Sequence, residues 1–321
     1  VSSFEGGMSD RWFSIPDDIR SDYVVQTANA PVVWSIDKKL FQPIWDQGIT
    51  GEGVKVCVCD TGIASHPNIP KAALARNFTS SGSGTTDVTD RNGHGTHCAG
   101  TILGTDGIGV APGATLMVAK VLGDNGSGST TWINSGLLWA AENGADIASR
   151  SLGGGQGDQD DLAVINEAYS KGLAIDVCAA GNSGFSGRGN TIGYPARYDL
   201  GFCVGATRSD GQIANFSSGG QQMDVACPGE QIISASHRGG FVAMSGTSMA
   251  TPWMAGLLAL VIHKRRINGL PDLKGHVQWL EFFKNEGFLQ DRGAPGFDPR
   301  FGNGYPVIDR ILSYLVDPEW V

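Results

Sequence analysis

Four polar residues stand where an apolar run ends or a helical stretch begins, and their types suit nucleophilic acyl chemistry. Asp60 closes the run "VKVCVCD" (54–60), and His94 sits between two glycines in "DRNGHGTHCAG". Asn182 ends "LAIDVCAAGN", and Ser248 lies in "MSGTSMATPWMAG" (244–256), before an apolar helix-like stretch. Taken singly, Asp60 and Asn182 read as turn formers and Ser248 as a helix cap. Taken together they complete one reaction. A serine hydroxyl is a weak nucleophile unless a base within hydrogen-bond reach removes its proton, and a carboxylate must fix that base's tautomer and balance the imidazolium. Asp60, His94 and Ser248 supply those roles. Charge developing on a carbonyl oxygen needs preorganised donors, which the Asn182 amide and the Ser248 N–H can provide. His94 and His97 do not read as a metal pair, because no third ligand stands at a matching spacing.

Catalytic side chains need a rigid frame, and the rest of the chain predicts one. "VKVCVCD" (54–60), "ATLMVAKVL" (114–122), "ADIASRSL" (145–152), "LAIDVCAAG" (173–181), "GFCVGAT" (201–207) and "QMDVACPG" (222–229) read as strands, several of them apolar on both faces. Between them 94–103, 130–144 and 160–172 carry apolar residues at helical spacing. This alternation predicts an α/β fold, with a mainly parallel sheet covered by helices on both faces. Ligands of such sheets bind beyond the carboxyl ends of the strands. Asp60 and Asn182 stand there.

Composition narrows the class. The 321 residues suffice for one large α/β domain or two ordinary ones, and 41% hydrophobic with 17% charged residues describes a globular chain. A net charge of −9 argues against nucleic acid as the main partner. No apolar run reaches membrane-spanning length, and the opening at Val1, without Met or an apolar h-region, is read as a signal peptide either absent or already removed. The six cysteines stand in apolar or small-residue runs, which favours buried free thiols over disulfides and, without paired CxxC motifs, over a metal cluster.

With these motifs in order, the chain resembles the subtilisin-like serine proteases, the subtilase family. The resemblance rests on "DTG" at Asp60, "GHGTHCAGT" at His94, "AAGN" at Asn182 and "SGTSMATP" at Ser248, and covers about 34–262 and more loosely up to 313. It implies a three-layer fold and an endopeptidase acting on protein or peptide substrates through an acyl-enzyme on Ser248. A peptide ligase or macrocyclase using the same intermediate is the alternative. Gly126, Ser127 and Gly128 are similar to one wall of the family's peptide cleft, and the segment from Ser151 to the opposite one. Ser151, Leu152, Gly153, Ala179, Ala180, Gly181 and Gly193 match the family's pocket for the residue before the scissile bond, so a bulky apolar or aromatic side chain is expected there. The resemblance also implies a structural calcium at Asp224, Asp199 and Gly201, a monomer, and export rather than a cytoplasmic location. The loop after His94 is short, as in proteinase K-like members.

Several positions depart from that pattern. Arg150 replaces an apolar residue, and a buried arginine without a partner is costly. Trp253 and Met254 replace a His-Val pair behind the nucleophile, so packing there must differ. Cys98 matches thiol-dependent members, which predicts sensitivity to mercurials. Residues 1–33 form an extension before the peptidase domain of 34–321, read as a surface strap, with a place near the cleft as the second reading. A C-terminal extension begins near 263, where "HKRR" (263–266) reads as a solvated helix end.

Overall fold

The sheet is built from strands whose two faces feed two different cores. In a computed structural model describing residues 10–15, 19–25 and 30–317, Val56 and Val58 enter one apolar cluster while Cys57 and Cys59 enter another. Period-2 alternation of apolar residues on both faces requires a helical layer on each side.

In chain order the elements are β1 (Trp12–Ser14), β2 (Ile19–Val25), α1 (Lys38–Asp46), β3 (Lys55–Asp60), β4 (Leu74–Asn77), α2 (His94–Leu103), β5 (Thr115–Lys120), β6 (Ser127–Ser129) and α3 (Thr130–Glu142). Next come β7 (Ile147–Arg150), α4 (Gln159–Ser170), β8 (Ile175–Ala179), β9 (Phe202–Thr207), β10 (Val225–Pro228), β11 (Ile232–Ala235), β12 (Phe241–Ser245) and α5 (Thr247–Ile267). Helices α6 (Gly275–Asn285) and α7 (Ile308–Val316) close the described chain. The central sheet has seven strands in the order β10-β9-β8-β7-β3-β5-β4, every neighbouring pair parallel. Each of the six predicted strands lies inside the run that predicts it.

Helices α2 and α5 cover one face and α3 and α4 the other. Helix α4 starts on Asp158, whose side chain accepts from the N–H groups of Asp160 and Asp161, and these two acids then face the positive end of the helix dipole. Helix α5 starts differently. Its N-cap is Gly246, so the cap reading of Ser248 is corrected. The Thr247 N–H is satisfied from outside the helix, by Asn182 Oδ1 at 2.9 Å, which leaves the Ser248 hydroxyl out of that duty.

Three further expectations meet particular packing. Trp253 is fully buried and donates through Nε1 to the carbonyl of Ser35, and Met254 Sδ lies 3.8 Å from Cys227 Sγ. The "HKRR" end is not solvated. Lys264 and Arg265 are buried, Lys264 donating to the Asp317 carbonyl and Arg265 stacking over Phe282. Arg266 pairs with Asp146 and Asp272. The C-terminal segment folds back over this end of α5, and long basic stems can line apolar surface while their heads find acceptors. All six cysteines are buried free thiols. Among the described residues no helix is long and apolar enough to cross a membrane.

Candidate active site

Strand β3 delivers Asp60 at its carboxyl end, and α2 begins with His94. Both Asp60 oxygens lie 2.9 Å from His94 Nδ1, and both residues are buried. The turn before α2 is locked by Asp90, which accepts from the N–H of Gly93 and Thr96 and from the hydroxyls of Thr96 and Thr61. Burial opposes ionisation of Asp90, yet these hydrogen bonds hold its carboxyl below the usual range. Gly93 permits the approach: its φ is 106°, and a Cβ there would stand 2.3 Å from the His237 ring.

Ser248 lies in the first turn of α5 and is fully buried. Its hydroxyl donates to the Ser151 carbonyl at 3.3 Å, and its own carbonyl accepts from the Ser151 hydroxyl at 2.9 Å and from Cys98 Sγ at 3.5 Å. Cys98 Sγ is also 3.8 Å from His94 Nδ1, and burial pushes its thiol up to about 11, so it is a neutral packing group at ordinary pH. Asp60, His94 and Cys98 bring possible ligand atoms within 4.8 Å of one another. A soft metal reaching this thiol would meet the His94 ring, which gives the expected mercurial sensitivity a physical route. His97 points elsewhere, its Nε2 pairing with the Ile232 carbonyl at 2.9 Å.

Asn182 follows β8. Its carboxamide oxygen accepts from the N–H and hydroxyl of Thr247, which fixes the orientation of the amide. A cavity of about 550 Å³ opens beside it, lined by Gly153, Gly181, Asn182, Ser183 and Gly193 together with Trp12 and Ser14. The structure thus gathers Gly153, Gly181 and Gly193 from the predicted pocket. Ser151, Leu152, Ala179 and Ala180 are buried behind that lining, where the Ala180 carbonyl accepts from the Gly193 N–H.

The predicted cleft walls hold an occupant from the same chain. Strand β1 pairs antiparallel with β6, setting Trp12 opposite Ser129, Phe13 opposite Gly128 and Ser14 opposite Ser127. On its other edge Ser14 and Gly153 exchange both backbone hydrogen bonds, at 3.0 and 2.9 Å, while on the β6 side the Ile15 N–H donates to the Gly126 carbonyl. The Phe13 ring is buried against Gly154, where a Cβ would approach it to 2.9 Å. Beyond the nucleophile, β2 pairs antiparallel with β12, Ile19 opposite Ser245 and Met244 opposite Arg20. Residues 16–18 join these strands and lie outside the described residues. The surface-strap reading of the extension is therefore corrected. Unpaired edges at β6, Gly153 and β12 are templates for an extended strand, and the chain's own segment satisfies them.

Arg150 also has its answer. Buried beside the sheet, its guanidinium makes a two-pronged pair with Asp176 on the adjacent strand, with Nε at 2.8 Å from Oδ1 and the second nitrogen on Oδ2. Asp176 was hidden in an otherwise apolar run, and only the register of β7 against β8 identifies it as the partner.

The candidate cation site is tested by its own carboxylate. Asp224 accepts from the Cys203 N–H at 2.7 Å, and burial pushes its carboxyl up to about 8, with the charge of Asp199 adding to the rise. A buried carboxyl held between two charge states fits a site completed by an oxygen-seeking cation.

Comparison with known proteins agrees with this geometry. Residues 51–304 match the Subtilase family. Subtilisin DY from Bacillus licheniformis is 43% identical over 222 residues, covering 68% of this chain and 80% of the relative. Subtilisin E from Bacillus subtilis (strain 168) is 40% identical over 251 residues, 77% of this chain and 65% of the relative. M-protease from Shouchella clausii (strain KSM-K16) is 39% identical over 264 residues, 81% and 67%. The chain thus spans about two thirds to four fifths of the length of these relatives. The four motifs, the seven-stranded parallel sheet and the extent of these matches lead to one conclusion: the chain belongs to the subtilase family, the subtilisin-like serine proteases.

Proposed function

We propose that the chain is a serine endopeptidase whose nucleophile is Ser248. The observation that carries this reading is the buried Asp60 carboxylate, with both oxygens 2.9 Å from His94 Nδ1. That contact holds the Nδ1 proton and leaves Nε2 as the base. His94 takes the Ser248 proton as the hydroxyl attacks a peptide carbonyl, then passes it to the departing amine as the acyl-enzyme forms. Water repeats the sequence in reverse and releases the acid. The Asn182 amide and the Ser248 N–H stabilise the oxyanion.

The substrate binds as an extended strand between Gly126–Gly128 and Gly153, with the side chain before the scissile bond in the pocket around Gly153, Gly181 and Gly193. The glycines of this lining leave room for a bulky apolar or aromatic side chain, and Asn190 and Arg197 add polar groups to the same cavity. Because β1 and β2 fill both sides of the cleft, the segment of residues 12–25 must leave or be cut before another peptide can enter. Calcium held by the Asp224 carboxylate and the Asp199 and Gly201 carbonyls is the proposed structural ion, supported by the raised Asp224 carboxyl. Cleavage of a peptide library, with the Ser248→Ala protein as control, tests activity, residue and pocket together. Products that have gained water support hydrolysis, and products joined to a second amine support the ligase alternative.

A further inference from the structure

The segment seated in the cleft extends past the part held by main-chain pairing. One residue before β1, Arg11 reaches the start of α4. Its guanidinium pairs with Asp158, and with Asp161 at 3.1 Å. Asp161 is buried and oriented from two further sides, accepting from Tyr198 Oη at 2.7 Å and from Asn134 Nδ2 at 3.0 Å. Asp158 has one oxygen committed to capping α4, leaving the other for the arginine. The Arg11 carbonyl accepts from the N–H and hydroxyl of Thr130, so its backbone is fixed at the end of β6. Trp12 lies edge-on to Trp132 with centroids 5.8 Å apart, and Thr131 donates to Asp10. The seat is made by α3, α4 and the segment after Tyr194, and its present occupant is a cationic side chain.

We propose that Asp158 and Asp161 form a distal subsite that selects a basic residue in a peptide substrate, three residues before the one that pairs with Gly153. This rests on the peptidase reading, since it assigns to an incoming peptide the track that residues 11–15 trace. The chemistry favours arginine. A planar guanidinium reaches two carboxylates at once, and charge-assisted bonds to a largely desolvated acid are stronger than neutral ones. The register carries the specificity: β6 and Gly153 fix a bound strand lengthwise, so only one position of the peptide reaches the acids. The main-chain cleft is indifferent to side chains, and this seat adds discrimination at a distance from the reacting bond.

The test uses the full chain carrying Ser248→Ala, to stop turnover, and Ser14→Pro, to loosen its own segment. Three dye-labelled peptides are titrated by fluorescence polarisation: the sequence of residues 11–15 beginning with arginine, and the same peptide beginning with alanine or glutamate. Competition from the tethered segment weakens all three by one common factor, so their ratios report the seat alone. The arginine peptide is expected to bind about tenfold tighter than the alanine peptide, and the glutamate peptide more weakly than either. In the added presence of Asp158→Asn, which keeps the helix cap, the arginine-to-alanine ratio should fall towards one. Equal binding of the three peptides, no binding of any of them, or a ratio unmoved by Asp158→Asn overturns the proposal. Failure of the peptidase reading would show separately, as absence of turnover by the protein with Ser248 intact.

Discussion

On the proposed reading, Asn182 is a side chain with an ordinary structural role that also serves the reaction. Its oxygen is fixed by Thr247, so the amide cannot rotate to suit a substrate and is aimed before one arrives. Preorganisation of this kind stabilises an oxyanion without reorganisation at the moment of reaction. Asn182→Ala should therefore lower kcat with little change in KM, by the roughly 10²–10³-fold known when a subtilisin loses this donor. Steady-state kinetics on a chromogenic peptide checks it, and a change confined to KM would assign Asn182 to substrate binding instead. The residue scale was also the most legible in sequence. Asp60, His94, Asn182 and Ser248 each stand at an element boundary that apolar periodicity marks, and Asp60 with His94 meets in space as expected. The choice of cap for α5 was not legible, because Asn182 satisfies Thr247 from 65 residues away.

Among the elements, adjacent strands β7 and β8 are joined by a buried ion pair, Arg150 with Asp176, beside their main-chain pairing. Removing Arg150 strands the Asp176 carboxylate in the interior, so Arg150→Met should cost about 3–5 kcal/mol of stability. The double change Arg150→Met with Asp176→Val should restore most of that loss, which denaturant melts of the unaltered chain, the single variant and the double variant would measure. Equal losses in the single and double variants would show that the pair is not what supports these strands. Asp224 sets a second test. Its folded carboxyl is pushed up to about 8, against roughly 3.9 in an unfolded chain. The folded state thus holds more protons between those values, and stability in chelator should fall as pH rises from about 4 to about 8. Calcium should raise the thermal midpoint more at pH 8 than at pH 5, and Asp224→Asn should remove that difference. A calcium effect independent of pH, or one that survives Asp224→Asn, would place the ion elsewhere. Six of the seven central strands were readable because their runs are largely apolar, whereas β4 was not, three of its four residues being exposed. Strands β1 and β6 were not readable either, being three residues long and paired with each other across a long stretch of sequence.

At the scale of the whole molecule, the chain meets its own cleft. On the proposed reading of the cleft, the main-chain exchange between Ser14 and Gly153, the buried Phe13 ring and the Arg11 pairs make residues 11–15 a tethered competitor whose local concentration does not fall on dilution. Ser14→Pro removes the N–H donated to Gly153 and disfavours the pairing. It should raise the initial rate on a peptide substrate several-fold without lowering the melting temperature by more than a few degrees. An unchanged initial rate would mean that the segment leaves the cleft too readily to govern it. In the sequence of residues 1–33 the cleft is only a second reading, since main-chain pairing is indifferent to side chains and leaves no signature in them.

The central claim is that Ser248 is the nucleophile of a hydrolase, and intact-protein mass after treatment with a biotinylated fluorophosphonate tests it most directly. The account predicts one adduct per chain, mapped to Ser248, with peptide hydrolysis lost in step with labelling and both absent in Ser248→Ala. Hydrolysis that persists in a fully labelled protein, or in Ser248→Ala, would contradict it.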